Sequence, residues 1–118
     1  MTERIELQAF DLYRQIERIH RRPAASPENL TDKYIRLYKL LEQACYEQTS
    51  EMTLSFSNLF SRLDFVCKEK RMTPADRYAI QTMRRNGKKA LNGKLTPDME
   101  TYRYDLRALV RFVSQAYG

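Results

Sequence analysis

The side chains of this chain that could do chemistry are a few scattered nucleophiles and acids and one dense run of cations. His20 is the only histidine. It closes the first helical pattern, where the dipole favours a cation, and no local cysteine or histidine pattern accompanies it as zinc would require. Cys45 and Cys67 are the only cysteines, and each falls in an apolar stripe where a free thiol behaves as a small hydrophobe. A Cys45 and His20 nucleophile pair is compatible with the composition, but both residues fit structural roles, and that is the expected reading. Glu3, Glu6, Asp11 and Glu17 lie near basic neighbours at helical spacings, as surface ion pairs do. Asp64 adjoins Leu63, Val66 and Cys67, and is expected to be a buried structural acid facing Arg62 or Arg107. The only glycines are Gly87, Gly93 and Gly118, so the phosphate-cradling pattern G-x-x-x-x-G-K-[ST] is absent. No catalytic residue, cofactor or metal is assigned.

The cations are more informative. Lys68, Lys70, Arg71, Arg77, Arg84, Arg85, Lys88, Lys89 and Lys94 face only Glu69 and Asp76 within their segment, while the remaining residues are close to balanced in a chain of formal charge +6. Such concentration produces a local positive field and bears on partners, not on fold. On a helical wheel Arg77, Gln81, Arg84 and Lys88 form one narrow stripe flanked by Arg85, while Ala79, Ile80, Met83 and Ala90 lie opposite. One face can pack while the other offers cations.

Phosphates suit that geometry, because neutralising them releases condensed counterions and a guanidinium can hold two phosphate oxygens at once. Arg77, Arg84, Arg85, Lys88 and Lys89 are therefore the expected phosphate contacts, and Gln81 the candidate for a base or sugar contact. The plainer reading of the same residues is a solvated helix face that keeps the protein soluble. Sequence-specific groove reading is not expected, since the preceding helix is too long for a compact helix-turn-helix pair. Tyr102 and Tyr104 flank Arg103 and could stack on bases. Tyr102 belongs to a buried seam, however, and Tyr34, Tyr38 and Tyr46 are likewise expected at the bundle's edge, rings covered and hydroxyls wet.

Helix boundaries follow from three pairs, Ser26-Pro27, Thr73-Pro74 and Thr96-Pro97. In each, a hydroxyl can accept from a first-turn amide, and proline takes the first helical position. Glu28, Asp76 and Asp98 follow at the positive dipole end. The first helix is expected from about Thr2 to Arg22, with Ile5, Ala9, Leu12, Ile16 and Ile19 on its buried face. From Pro27 to Met72 the apolar phase runs Tyr34, Leu37, Leu41, Cys45, Met52, Phe56, Leu59, Leu63, Val66, broken only at Gln48. One long helix and two helices both fit. An unbroken helix would span roughly 65 Å, about twice the width of a domain this size, which favours a break around Glu47 to Glu51 with Thr49 or Ser50 capping the third helix. The fourth helix starts at Thr73 and ends at Asn86-Gly87 or Asn92-Gly93. The fifth starts at Thr96, with Met99, Tyr102, Leu106, Leu109, Val113 and Tyr117 as its seam.

Three stretches, Arg62-Leu63-Asp64-Phe65-Val66-Cys67, Asp76-Arg77-Tyr78-Ala79-Ile80-Gln81-Thr82-Met83-Arg84-Arg85-Asn86 and Tyr102-Arg103-Tyr104-Asp105-Leu106-Arg107-Ala108-Leu109, resemble the helical amino-terminal region of certain bacterial superfamily-one ATP-dependent DNA helicases. The resemblance covers roughly the second half of the chain. It implies an accessory module with an ATPase domain following Gly118. The chain departs from the family in having no nucleotide site, so the resemblance carries over no catalytic residue.

With 118 residues, 31% charged, few glycines and prolines and no tryptophan, the chain is expected to be a single all-α domain over residues 1–118, an antiparallel bundle of four or five helices. Two thiols and an amino terminus without an apolar run point to a reducing, cytoplasmic setting and no membrane span. The expected function is sequence-nonspecific nucleic-acid contact, DNA preferred, by a non-enzymatic module that stands alone or serves a larger helicase-like enzyme. The competing class is a protein-interaction or oligomerisation bundle.

Overall fold

Proline punctuation and apolar periodicity resolve into helices α1 (Thr2–Arg21), α2 (Pro27–Thr49), α3 (Leu59–Glu69), α4 (Pro74–Leu91) and α5 (Met99–Ala116). The computed structural model describes the backbone of residues 2–23, 27–50 and 55–118, and side chains from residue 8, except 24–28 and 51–54. Glu3, Ile5, Glu6, the Ser26 cap, Glu28 and Met52 lie outside the described side chains. Among the described residues there are five helices and no strand. The protein is an all-α bundle.

Pro27 to Met72 holds two helices. The hydroxyl of Thr49 donates to the Cys45 carbonyl at 2.8 Å and that of Ser50 to the Glu47 carbonyl at 3.2 Å. Both side chains therefore close α2 by bonding back to its last turn, and neither opens α3. The α3 cap is Asn58, whose side chain accepts from the Ser61 amide at 2.8 Å. The longest dimension of the molecule is 41 Å, too short for a helix of about 65 Å.

The α4 start is as expected, with Thr73 accepting from the Asp76 amide at 3.2 Å and Pro74 opening the helix. Its end is at the second of the two glycine signals, Asn92 being the closing residue and Gly93 taking a φ of +73°. The α5 start is corrected from Thr96 to Asp98, whose carboxylate accepts from the Thr101 amide at 2.7 Å. Aspartate is a better cap than threonine, and its position two residues further along moves the first turn past Pro97. Met99, now in that first turn, is exposed and stands outside the expected seam.

The buried stripes meet around Leu12 and Ile16 of α1, Leu37 and Leu41 of α2, Leu63 of α3, Ile80 and Met83 of α4, and Leu109, Phe112 and Val113 of α5. Each such side chain contributes about 1.5–3 kcal/mol by leaving water. Asp76 of α4 bonds Arg111 and Gln115 of α5, and Asn86 bonds Asp105, so α4 and α5 are antiparallel. Tyr34 bonds Asp105, and Glu47 bonds Tyr117, so α2 and α5 run the same way.

The buried acid is Asp105, not Asp64. Asp64 is half-buried and pairs with Lys68 one turn along α3 at 2.9 Å. Asp105 is 1% exposed and accepts from the Tyr34 hydroxyl and, at 3.1 Å, from the Asn86 amide. Among the described residues every buried side-chain nitrogen and oxygen has a partner. Tyr34 thus departs from the wet-hydroxyl expectation, its hydroxyl being engaged by this carboxylate in the core. Lys33 is also buried, donating to the His20 and Arg22 carbonyls at 2.8 and 2.9 Å across the end of α1. It satisfies carbonyls the helix leaves open.

Burial pushes the Asp105 carboxyl above the ordinary aspartate range, although Tyr34 and Asn86 oppose this. A raised folded-state value means that the native state holds the proton more tightly than the unfolded chain. This contribution to stability is complete below the unfolded-state value and is lost as pH rises through the folded one. Asp76 and Asp98 are held low by their hydrogen bonds and act in the opposite sense. The informative measurement is therefore a difference: melting temperatures of wild type and Asp105→Asn between about pH 4 and 7. Wild type is expected to lose ground to the asparagine variant as pH increases, because only the carboxyl must give up its proton. A difference that stays constant with pH would show that burial does not perturb this carboxyl.

Candidate nucleic-acid interface

The α4 residues Ile80, Met83, Gly87 and Ala90 are buried, which turns the opposite side of the helix toward solvent. Arg85, Lys88 and Lys89 are exposed, and Arg77, Gln81 and Arg84 are half-buried along the border with α3. The expected stripe is therefore graded: its outer members stand in water, and its inner members also touch protein.

Arg84 and Gln81 carry structural duties. The Gln81 amide nitrogen donates to the Phe60 carbonyl at 3.2 Å, and the Arg84 Nε donates to the Gln81 Oε1 at 2.6 Å. The Arg84 guanidinium lies 5.3 Å from the Phe60 ring centre. Both ends of the Gln81 amide are thus engaged in the protein. Burial, with repulsion from Arg85, lowers the Arg84 pKa, but a guanidinium starts high enough to remain charged.

No ion pair links Arg77, Arg84, Arg85, Lys88 or Lys89 to a carboxylate among the described residues. The acids nearest in sequence are committed elsewhere. Asp76 accepts from Arg111 at 3.0 Å and Gln115 at 2.9 Å, and Asp64 holds Lys68. Glu69 is exposed, and among the described residues none of Asp64, Glu69 and Asp76 makes an ion pair with these five cations.

Phe60, which the sequence reading did not assign to the site, lies beside Arg84, and Tyr46 and Phe56 lie beside Arg62 of the neighbouring α3. Phe60 opens α3 and is 49% exposed, and Tyr46 near the end of α2 is 53% exposed. Tyr46 therefore differs from the expected edge tyrosine with a covered ring. Arg62 lies over it, 4.3 Å from the ring centre, and also stands 4.8 Å from the centre of Phe56 while donating to the Thr49 hydroxyl. Arg62 thus has a local role and does not face Asp64. Tyr38, buried between α2 and α4, has its hydroxyl within electrostatic reach of Glu42, Arg84 and Tyr46.

The candidate nucleophiles have no such setting. Burial pushes the Cys45 thiol far up and the Cys67 thiol to about 11, opposite to the lowered value of a reactive cysteine. His20 shares a 3.1 Å hydrogen bond between its Nδ1 and the Tyr102 hydroxyl, and its ring stacks on that tyrosine. Among the described residues, no group of three histidine, cysteine, aspartate or glutamate side chains could hold a metal ion, and no helix is long and apolar enough to cross a membrane. Tyr104 and Arg107 line a separate cleft of about 190 Å³ between α4 and α5, together with Asp76, Arg111 and Gln115. Comparison of the chain with protein-family models, curated proteins and solved structures finds no match.

Proposed function

We propose that this chain is a non-catalytic helical module that contacts nucleic acid without sequence specificity through the solvent side of α4. Arg77, Arg84, Arg85, Lys88 and Lys89 are its phosphate contacts. The observation that supports this reading most is the absence, among the described residues, of any carboxylate paired with those five cations. Unpaired cations on one rigid helix keep their full attraction for a polyanion. DNA is the preferred partner and the cytoplasm the preferred setting, in keeping with two buried free thiols. The helicase resemblance of the α3, α4 and α5 sequences extends the proposal to an accessory role beside an ATPase domain.

Salt dependence tests the proposal directly. Five phosphate contacts on duplex DNA give a slope of log Kobs against log salt of about −4.5, or a loss of about 500-fold between about 50 and 200 mM salt. Fluorescence anisotropy with a labelled duplex measures it, and binding that is absent at the lowest salt, or indifferent to salt, rejects the proposal.

A second reading rests on the apolar groove between α1 and α5, lined by Ala9, Phe10, Tyr13, Val113 and Tyr117, with Phe10 60% exposed. In it the protein is an interaction or oligomerisation bundle. Association through that groove would persist at high salt.

A further inference from the structure

The polar and aromatic residues at the junction of α2, α3 and α4 have an arrangement that phosphate attraction alone does not require. Arg62 lies 4.3 Å from the centre of the half-exposed Tyr46 ring, and Arg84 lies 5.3 Å from that of half-exposed Phe60. Each guanidinium is tied down by a neighbour, Arg62 through the Thr49 hydroxyl and Arg84 through Gln81, which is itself fastened to the Phe60 carbonyl. Each ring is therefore met by a guanidinium that is itself hydrogen-bonded to the protein, while about half of the residue stays exposed. Phe60 and Arg62 lie two residues apart at the start of α3, so the pair of Arg62 with Tyr46 and the pair of Arg84 with Phe60 meet at the same end of that helix. Glu42 is an acid in reach of the Tyr38 hydroxyl, and among the described residues it makes no ion pair with either arginine.

We infer that this junction is a stacking platform for the unpaired bases of a single-stranded nucleic acid, with Tyr46 and Phe60 receiving bases while Arg62 and Arg84 meet the phosphates between them. The inference rests on the proposed function and narrows its substrate. A duplex hides its base faces, so aromatic rings add nothing to its binding. A single strand exposes every face, and stacking is tolerant of sequence because all bases have one. A guanidinium lying on an aromatic ring keeps its outward N–H groups available to phosphate oxygens while its plane continues the ring as a surface for a base. The stripe of Arg77, Arg85, Lys88 and Lys89 then carries the backbone along α4.

The test compares a fluorescein-labelled oligothymidylate of about 20 nucleotides with a duplex of equal length, using the full 118-residue chain. The single strand is expected to bind at least about ten-fold more tightly, and Tyr46→Ala and Phe60→Ala are each expected to weaken single-strand binding by about ten-fold. Duplex binding should change less than about two-fold in either variant. Tyr46→Phe and Phe60→Tyr keep the ring and should keep the affinity, which separates stacking from a general loss of packing; Phe60→Leu keeps apolar bulk and should behave as Phe60→Ala does. Equal affinity for strand and duplex, with both alanine variants unaffected, overturns the platform and leaves the α4 phosphate contacts standing. Failure to bind either probe overturns both.

Discussion

Gly87→Ala is expected to destabilise the protein by about 2 kcal/mol, although alanine is the better helix former by about 1 kcal/mol. Gly87 lies inside α4, buried where that helix crosses α2. A Cβ there would stand 2.3 Å from the Cδ1 of Tyr38, 2.5 Å from its Cγ and 2.7 Å from its Cβ. The Tyr38 Cβ is anchored to the α2 backbone, so no rotation of the ring relieves that last contact, and the helices must separate. Overpacking of this kind costs about 1–3 kcal/mol and occasionally more. Urea unfolding followed by tyrosine fluorescence is suited to a chain with eight tyrosines and no tryptophan. The expected loss corresponds to a fall in melting temperature of about 8 °C. A Tyr38→Ala, Gly87→Ala pair should cost less than the sum of the single changes, because the first removes most of what the second strikes. If Gly87→Ala proves neutral or stabilising, the close approach of α2 and α4 is wrong.

The same glycine shows where reading from sequence ends. Asn86-Gly87 and Asn92-Gly93 are equivalent as closing signals when only neighbours along the chain are considered. Gly93 takes the left-handed conformation that ends α4, and Gly87 is needed for its missing side chain. Only Tyr38, on a helix two elements earlier, distinguishes them. Most helix positions are legible because apolar spacing and proline act locally, as Pro27 and Thr73-Pro74 illustrate. The α5 start is displaced because Thr96 and Asp98 are both competent caps, and the proline after Thr96 points to the earlier one although aspartate is the better capping residue.

Asp105 left a usable signal. It lies three residues after Tyr102 and four before Leu109, on the side of the helix those residues bury. Asp64 shows the same kind of adjacency, and its local partner Lys68 at the fourth position resolves it as a surface acid. The α4 cations were legible in type and spacing, since both follow from one helix. Whether they stand free depends on where Asp76 and Asp64 turn, which is a tertiary fact. Tyr46 and Phe60 carried no pattern linking them to the cations, because their arginines come from other helices.

Reversing Arg85, Lys88 and Lys89 to glutamate is expected to reduce binding to duplex DNA by about 500-fold near 0.1 M salt. These three are exposed and make no ion pair among the described residues, whereas Arg84 also secures Gln81 and Phe60. They therefore report charge with least disturbance of packing. Counterion release is worth about eight-fold per phosphate contact at that salt, and three contacts multiply to the figure given. The salt slope should flatten by about 3, a readout that a change in folded fraction would not mimic. Lysines in the last turn of α4 favour the helix dipole, so their reversal carries a stability cost of about 0.3–1 kcal/mol each. Circular dichroism before binding controls for that. Arg14, Arg18 and Arg21 reversed to glutamate on α1 alter the formal charge by the same amount at a site away from α4. If the α1 variant loses as much affinity as the α4 variant, attraction is set by overall charge, and α4 has no special part in it. If the α4 variant binds unchanged, its cations belong to a solvated face and the apolar groove between α1 and α5 becomes the better candidate for a contact surface.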